Sequence, residues 1–285
     1  MGLILDIVPN HVAVGGSENP WWQEVLAWGR DSPYADFFDI DWQSPDPLLK
    51  GRLLVPFLGA PYDEVLISGL LKLAYVPESA SFTLEYHEHR FPIDPRRYGD
   101  ILRHAEHEAL HELAVQFDGL QTRLDAYTGV GELRRQLRHA LEDEMARGAL
   151  SRALEQFAGN SPAGAERLHA LLERQNYRLA WWRTASDEIN WRRFFDITEL
   201  GGLRVELPEV FEATHSLILR LVEAGWVDGL RVDHVDGLAD PRGYCLRLRE
   251  RLDALQAFLG GEAHHLLEQA ERGAQTHAKR RHVDA

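Results

Sequence analysis

Hydrophobic and polar positions divide the chain into stretches of different periodicity. Gly2 to Val8, G-L-I-L-D-I-V, is a nearly continuous apolar run broken only by Asp6, the pattern of a strand buried on both faces of a parallel sheet. From Asn10 to about Gly69 the chain is rich in Pro, Gly, Trp and Asp, which predicts ordered loop with short helical turns. Leu70–Val76 and Phe82–Tyr86 flank P-E-S-A as two strands of a hairpin. From Gly99 to about Trp182 the spacing turns helical, with Leu110, Leu113, Ala114 and Phe117 on one face and Leu133, Leu137, Ala140 and Leu141 on another. Gly148, Gly159-Asn160-Ser161-Pro162 and Gly164 punctuate this stretch.

The parallel-sheet pattern then returns. Glu209 to Ala224 reads as an amphipathic helix with Phe211, Leu217, Ile218, Leu221 and Val222 inward, and Gly225 as its stop. Trp226 to Val232 reads as a second buried strand, and Pro241 to about Phe258 as a helix. Helix, glycine, strand, polar loop, helix is the order of an α/β fold. After Gly260-Gly261 the pattern fails, and that tail holds four of the 14 histidines. No internal repeat is present.

Composition narrows the function classes. The 285 residues carry a formal charge of −14, from 45 acidic and 31 basic side chains. That balance disfavours nucleic acid or an anionic membrane as partner, since both need a basic footprint. Only three of the basic residues are lysine, an arginine bias spread along the whole chain that locates nothing. A single cysteine, Cys245, makes no internal disulfide or thiolate zinc cage. No apolar run approaches the roughly 18 residues of a membrane span, and M-G-L-I-L-D lacks a signal peptide's basic region. The expectation is a soluble, cytoplasmic protein.

Two strand ends gather polar groups. The first, D-I-V-P-N-H, offers Asp6, Asn10 and His11; the second, G-L-R-V-D-H-V-D-G, offers Arg231, Asp233, His234 and Asp236. Ligands meet parallel α/β folds at the C-terminal ends of strands. A plainer reading makes Asp6 and Asp233 loop caps or partners of Arg231, but two such clusters together are harder to dismiss. Alternation puts Arg231 and Asp233 on one face of their strand, where a guanidinium favours an ionised carboxylate. An ionised, oriented carboxylate is what a glycosidic nucleophile requires.

These two motifs resemble the first and second signature regions of the α-amylase clan of glycoside hydrolases. The wider context is similar to one branch of it, the malto-oligosyltrehalose synthases, which are (1→4)-α-D-glucan 1-α-D-glucosylmutases. The narrower likeness is carried by G-L-I-L-D-I-V-P-N-H-V, S-P-Y-A-D-F-F-D-I-D-W from Ser32 and H-R-F-P-I-D-P from His89. It continues through W-R-T-A-S-D-E-I-N-W-R-R-F-F-D-I from Trp182, G-L-R-V-E from Gly202 and G-L-R-V-D-H-V-D-G-L-A-D-P from Gly229. The motifs run in order from residue 2 to about 258.

The resemblance implies a partial (β/α)₈ TIM barrel with a large, mainly helical insertion between strands three and four. Residues 1–33 would hold strand three and its loop, 34–207 the insertion, and 208–260 a helix, strand four and the next helix; 261–285 is an atypical tail. On that map Asp233 falls on the nucleophile, Arg231 on its supporting arginine and His11 on a sugar-contacting histidine. Asp6 and Asn10 match bracing positions, while His234 and Asp236 are sugar-contact candidates. The implied reaction is intramolecular transglucosylation of malto-oligosaccharides to an α,α-1,1 end, in trehalose biosynthesis, with a malto-oligosyltrehalose trehalohydrolase as pathway partner. No cofactor or metal is implied. Excluding water separates this isomerase from a hydrolase, and Trp181, Trp182, Trp191, Phe194 and Phe195 either supply that enclosure or form a core of their own.

The family pattern also has elements missing here. Its first two βα units are absent, so that Met1 reads as an internal methionine. Its general acid, a glutamate after a V-V-E type strand, has no match; Glu262, Glu268 and Glu271 lie in polar surroundings, and the tail resembles a frameshifted reading. General acid catalysis is typically worth about 10²–10⁴-fold, so the expectation is an inactive, aggregation-prone chain. Rival readings are an α-amylase-type hydrolase and a non-catalytic glucan-binding remnant. A more distant rival is a zinc protease on H-E-A-L-H, His107 to His111. That last motif has no third-ligand pattern, and it reads as the solvated face of a helix.

Overall fold

The computed structural model describes residues 2–120 and 123–255. The tail and its Glu262, Glu268 and Glu271 lie outside the described residues. In chain order the elements begin with β1 (Ile4–Ile7), β2 (His11–Ala13), α1 (Pro20–Trp28), β3 (Leu53–Leu58) and α2 (Tyr62–Ile67). Then come β4 (Lys72–Val76), β5 (Ser81–Tyr86), β6 (His89–Pro92), α3 (Tyr98–Leu102) and α4 (Glu108–Asp118). After them follow α5 (Arg123–Ala140), α6 (Glu144–Glu155), α7 (Pro162–Leu172), β7 (Tyr177–Trp181) and α8 (Ala185–Glu188). The last are β8 (Arg193–Phe194), β9 (Ile197–Gly202), α9 (Pro208–Glu223), β10 (Gly229–Val232) and a helix over 241–255, α10. Two units partition these elements: residues 2–10 with 204–255 form unit one, and 11–203 form unit two. Residues 11–33, grouped on sequence with the first strand, therefore fold within unit two.

In unit one the two apolar runs pair as parallel strands, with Ile4 opposite Gly229 and Asp6 opposite Arg231. The expected burial on both faces does not follow. Ile7 is buried, but Ile4 is 70% exposed, Leu3, Val8 and Trp226 are exposed too, and Arg231 breaks the second run. Among the described residues β1 and β10 have only each other as strand partners, whereas burial of both faces needs neighbouring strands and helices on either side.

Helix α9 ends where the sequence predicts, at Gly225 with φ +70°, and the Trp226 N–H reaches back to the Leu221 carbonyl at 3.0 Å. Its inward stripe is different from the one expected. Val210, Phe211, His215 and Leu219 are buried, while Leu217 is exposed. A polar residue anchors the stripe: the His215 ring stacks on Phe211 at 4.2 Å and meets the Tyr244 hydroxyl on α10 at 2.8 Å. Because a carbonyl only accepts, Nδ1–H donates to the Phe211 carbonyl, leaving Nε2 to accept from Tyr244.

Unit two contains the predicted hairpin, Lys72–Val76 against Ser81–Tyr86, extended by β6 into a three-stranded sheet. Its helices bury Leu110, Leu113, Ala114 and Phe117, and Leu133, Leu137 and Leu141, as their spacing requires. The supposed loop before residue 69 holds more structure than expected. α1 starts at a cap where Asn19 Oδ1 accepts from the Trp22 N–H, with Pro20 in its first turn. The buried strand β3, L-L-V-P-F-L, pairs in parallel with β7, which itself interrupts the stretch read as helical. Pro56 explains the omission, because it lacks a ladder N–H; the register shifts between Val55 and Leu58 to accommodate it. Gly148 does not punctuate but sits inside α6. Gly159 does turn the chain, and a Cβ there would lie 2.0 Å from the Leu66 carbonyl oxygen.

Candidate functional site

The parallel register of unit one builds its polar cluster. Asp6 and Arg231 are direct partners across the two strands, and Asp233 follows Arg231 by two residues on the same face. One prong of the Arg231 guanidinium, Nη1, donates to Asp6 Oδ2, and the other, Nη2, to Asp233 Oδ1 at 3.3 Å. The backbone N–H of Asp233 donates to the Ile7 carbonyl at 2.9 Å, extending the ladder to this residue. Next in chain, His234 adopts a left-handed φ of +52° and brings Nε2 to 3.5 Å from Asp233 Oδ2. Each carboxylate oxygen of Asp233 thus has a cationic or potentially cationic neighbour. Since Arg231 and Asp6 are more than half exposed, their pairing adds little to stability. What it fixes is direction: a planar fork held at one end by Asp6 presents its other end at a set angle to Asp233.

Asn10 is buried in the same unit, and the 3₁₀ turn Val235–Gly237 packs on it. A Cβ at Gly237 would approach Asn10 Nδ2 at 3.0 Å, so a glycine is what lets this turn lie so close. Asp236 is exposed on that turn. The structure therefore brings together Asp6, Arg231, Asp233 and His234, with Asn10 and Asp236 in the same unit.

His11 belongs to unit two. It opens β2, pairs with Gly202 of β9, and stacks its ring on Phe194 of β8 at 4.0 Å. Gly202 has its own requirement, since the Arg192 guanidinium would lie 2.6 Å from a Cβ there. Arg192 spans this sheet, donating to the Leu203 carbonyl at 2.7 Å and to Asp39 at 3.0 Å.

The five aromatic residues singled out on sequence divide into two kinds. Trp191 is core: it is buried, contacts Trp22 edge to face, and donates its indole N–H to the Leu54 carbonyl at 2.8 Å. Trp182 and Phe195 are exposed, with Trp181 and Phe194 intermediate. Sequence reasoning passed over Asn190, which is 8% exposed and ties three chain segments together. It named the Phe195 ring but missed its left-handed backbone, and Asn190 lay inside a motif read only as family likeness. In H-E-A-L-H, His107 stands outside α4 as its N-cap residue, with Nε2 at 3.3 Å from Asp143, while His111 is exposed. Among the described residues no group of three or more His, Cys, Asp or Glu is disposed to hold a metal ion, and no helix is long and apolar enough to cross a membrane.

No protein-family model matches the chain. Curated relatives from two strains of Mycobacterium tuberculosis, named as maltooligosyl trehalose synthases, are each 37% identical over 253 residues. The match takes in 88% of this chain and 22% of theirs, so the chain spans about a fifth of the length of these relatives. Among solved structures, a maltooligosyltrehalose synthase from Arthrobacter ramosus superposes with a TM-score of 0.55 at 34% identity, covering 89% of this chain and 23% of that one. One from Sulfolobus tokodaii, titled a hypothetical maltooligosyl trehalose synthase, gives 0.53 at 28% identity, covering 88% and 23%. In sequence and in fold, this chain is a homologue of the maltooligosyl trehalose synthases, matching one segment of them.

Proposed function

We propose that the chain carries the nucleophile side of a glucosylmutase site, in which the reducing-end α-1,4 linkage of a malto-oligosaccharide becomes an α,α-1,1 linkage. Asp233 attacks the anomeric carbon beside the terminal glucose, and the bond to the leaving oxygen breaks as that oxygen takes a proton. The freed glucose stays bound, turns, and attacks the glycosyl-enzyme through its C1 hydroxyl; the bond to Asp233 breaks and the hydroxyl proton returns to the group that protonated the leaving oxygen. Two displacements retain configuration, which calls for an acid partner roughly 5–5.5 Å from Asp233; we assign that partner to no residue here.

The supporting observation is the two-pronged contact of Arg231 with Asp6 and Asp233 at neighbouring parallel strand ends. Asp6 anchors the guanidinium, Arg231 orients the nucleophile, and Asn10 braces the turn that follows it. His11, His234 and Asp236 are the sugar-contacting candidates. In the same reading β1 and β10 are the third and fourth strands of a (β/α)₈ barrel, with unit two as the insertion that separates them in sequence. The substrates are α-1,4-glucans, the setting is the cytoplasm, and a hydrolase that releases trehalose consumes the product. No organic cofactor enters.

Because no V-V-E type strand occurs in the sequence, the 285 residues alone are expected to leave maltohexaose unchanged. An activated donor bypasses the missing acid, because fluoride leaves without a proton. With α-maltotriosyl fluoride the chain should release fluoride above the uncatalysed rate, and Asp233→Asn should abolish the excess. Equal release by the variant, or none above background by the parent chain, refutes the assignment.

A further inference from the structure

Phe195 occupies a position that neither folding preference nor core packing explains. It opens the two-residue turn joining β8 to β9, where Phe194 pairs with Ile197. Its φ is +49°, the left-handed region that such turns normally fill with Gly, Asn or Asp. The ring is also 76% exposed, so burial offers no compensation for the strained backbone. Strain of this kind persists where the surroundings enforce it, and it points to use.

The surroundings do enforce it. Arg193, at the base of the turn, donates to Asp196 Oδ1 at 3.0 Å and to Thr198 Oγ1 at 3.1 Å, clasping the loop from both sides. Above that clasp the Phe195 ring meets Phe194 edge to face at 4.4 Å, and Phe194 stacks on His11 at 4.0 Å. His11, Phe194 and Phe195 thus bring three aromatic rings together on one sheet of unit two, with the Phe195 ring exposed on a braced turn.

We propose that Phe195, seated on Phe194 and His11, is a platform for the apolar face of a pyranose ring of an α-1,4-glucan. The chemistry of the shelf selects the occupant: a sugar ring offers a flat patch of C–H groups that an aromatic face covers well, and the net acidic chain disfavours anionic ligands. This rests on the glucan reading above and deepens it by replacing the open choice between enclosure and core for Phe195 with a definite contact to a sugar ring.

The test is calorimetric titration of the 285-residue chain with maltohexaose, alongside thermal unfolding. Phe195→Gly removes the ring but suits the backbone, Phe195→Leu keeps apolar bulk without a ring, and Phe195→Tyr keeps the ring. Phe195→Tyr should bind within about threefold of the parent, while Phe195→Gly and Phe195→Leu should weaken binding roughly tenfold, the scale of one aromatic stacking contact. Phe195→Gly should melt at or above the parent temperature, because glycine adopts positive φ without strain. A merely structural role would instead lower its melting temperature. Parent-like binding by both ring-free variants overturns the platform and leaves the glucan reading standing. No binding by the parent chain overturns both.

Discussion

Asn190 offers the sharpest check on how unit two is held together. Its side chain is buried and fully engaged: Oδ1 accepts from the Leu54 N–H at 2.9 Å, and Nδ2 donates to the carbonyls of Asp41 at 3.0 Å and Arg52 at 2.8 Å. Its own backbone carbonyl accepts from the Asp41 N–H at 2.7 Å. One side chain therefore joins the segment around Asp41, the start of β3 and the run leading into Trp191 and β8. Asn190→Ala strands a buried N–H at about 1–3 kcal/mol and takes a bond from two carbonyls at about 1 kcal/mol each. The total is about 3–5 kcal/mol. For a unit of this size that corresponds to a fall in melting temperature of about 10 °C.

Asn190→Asp is worse at neutral pH. It keeps the acceptor for Leu54 but turns a carboxylate oxygen toward two carbonyl oxygens. Burial favours the protonated acid, so this variant should recover relative to Asn190→Ala as pH falls. Urea unfolding followed by tryptophan emission reports directly, because Trp191 donates to the Leu54 carbonyl beside the lesion. A loss under about 1 kcal/mol for Asn190→Ala, or a variant Asn190→Asp more stable than Asn190→Ala at pH 7, would refute the reasoning.

Two further outcomes follow from buried charge and buried imidazole. Arg96 bridges the buried Asp94 at 2.8 Å and Asp31 at 2.7 Å, lying over the Trp28 ring. Arg96→Leu leaves the Asp94 charge without its cation and should cost about 3 kcal/mol, with Asp94→Asn restoring part of it in the double variant; no restoration by urea midpoint would count against a charge effect. Burial holds His215 below its ordinary value, outweighing the opposing pull of the Phe211 carbonyl and of Glu212. The folded state then binds fewer protons than the unfolded one. Its contribution is complete above the ordinary value of 6.5 and is lost as pH falls through it toward the folded-state value. His215→Gln should flatten the drop in urea midpoint between pH 7.5 and 5.5, and an unchanged slope would sink the idea.

How much of the candidate site the sequence carried depends on how local each feature is. R-V-D places Arg231 and Asp233 on one face by strand alternation alone, and the structure joins them. That Asp6 stands opposite Arg231 depends on which strand pairs with which and in what register, and D-I-V-P-N-H says nothing about that. His11 was singled out for its place after the first strand, yet its ring partner Phe194 comes from a hairpin far along the chain. The left-handed turn at Phe195 escaped notice because sequence offers Gly, Asn or Asp as its signals, and here there is a phenylalanine.

By itself the sequence determined what local periodicity and local turn chemistry control. These include the two strands of unit one, the Lys72–Tyr86 hairpin, the buried faces of α4 and α5, and the helix stop at Gly225. Each is set by contacts within a few residues, where spacing and φ preference suffice. Tertiary structure alone decided the pairing of β3 with β7, which joins distant segments around Pro56. It also turned His215 inward and Leu217 outward on α9, where two stripes of similar spacing compete and Tyr244 selects between them. Finally, it aligned Asp6 with Arg231. In each case the deciding partner lies far away in the chain, and a partner brought close only by folding leaves no local mark on the residues it selects.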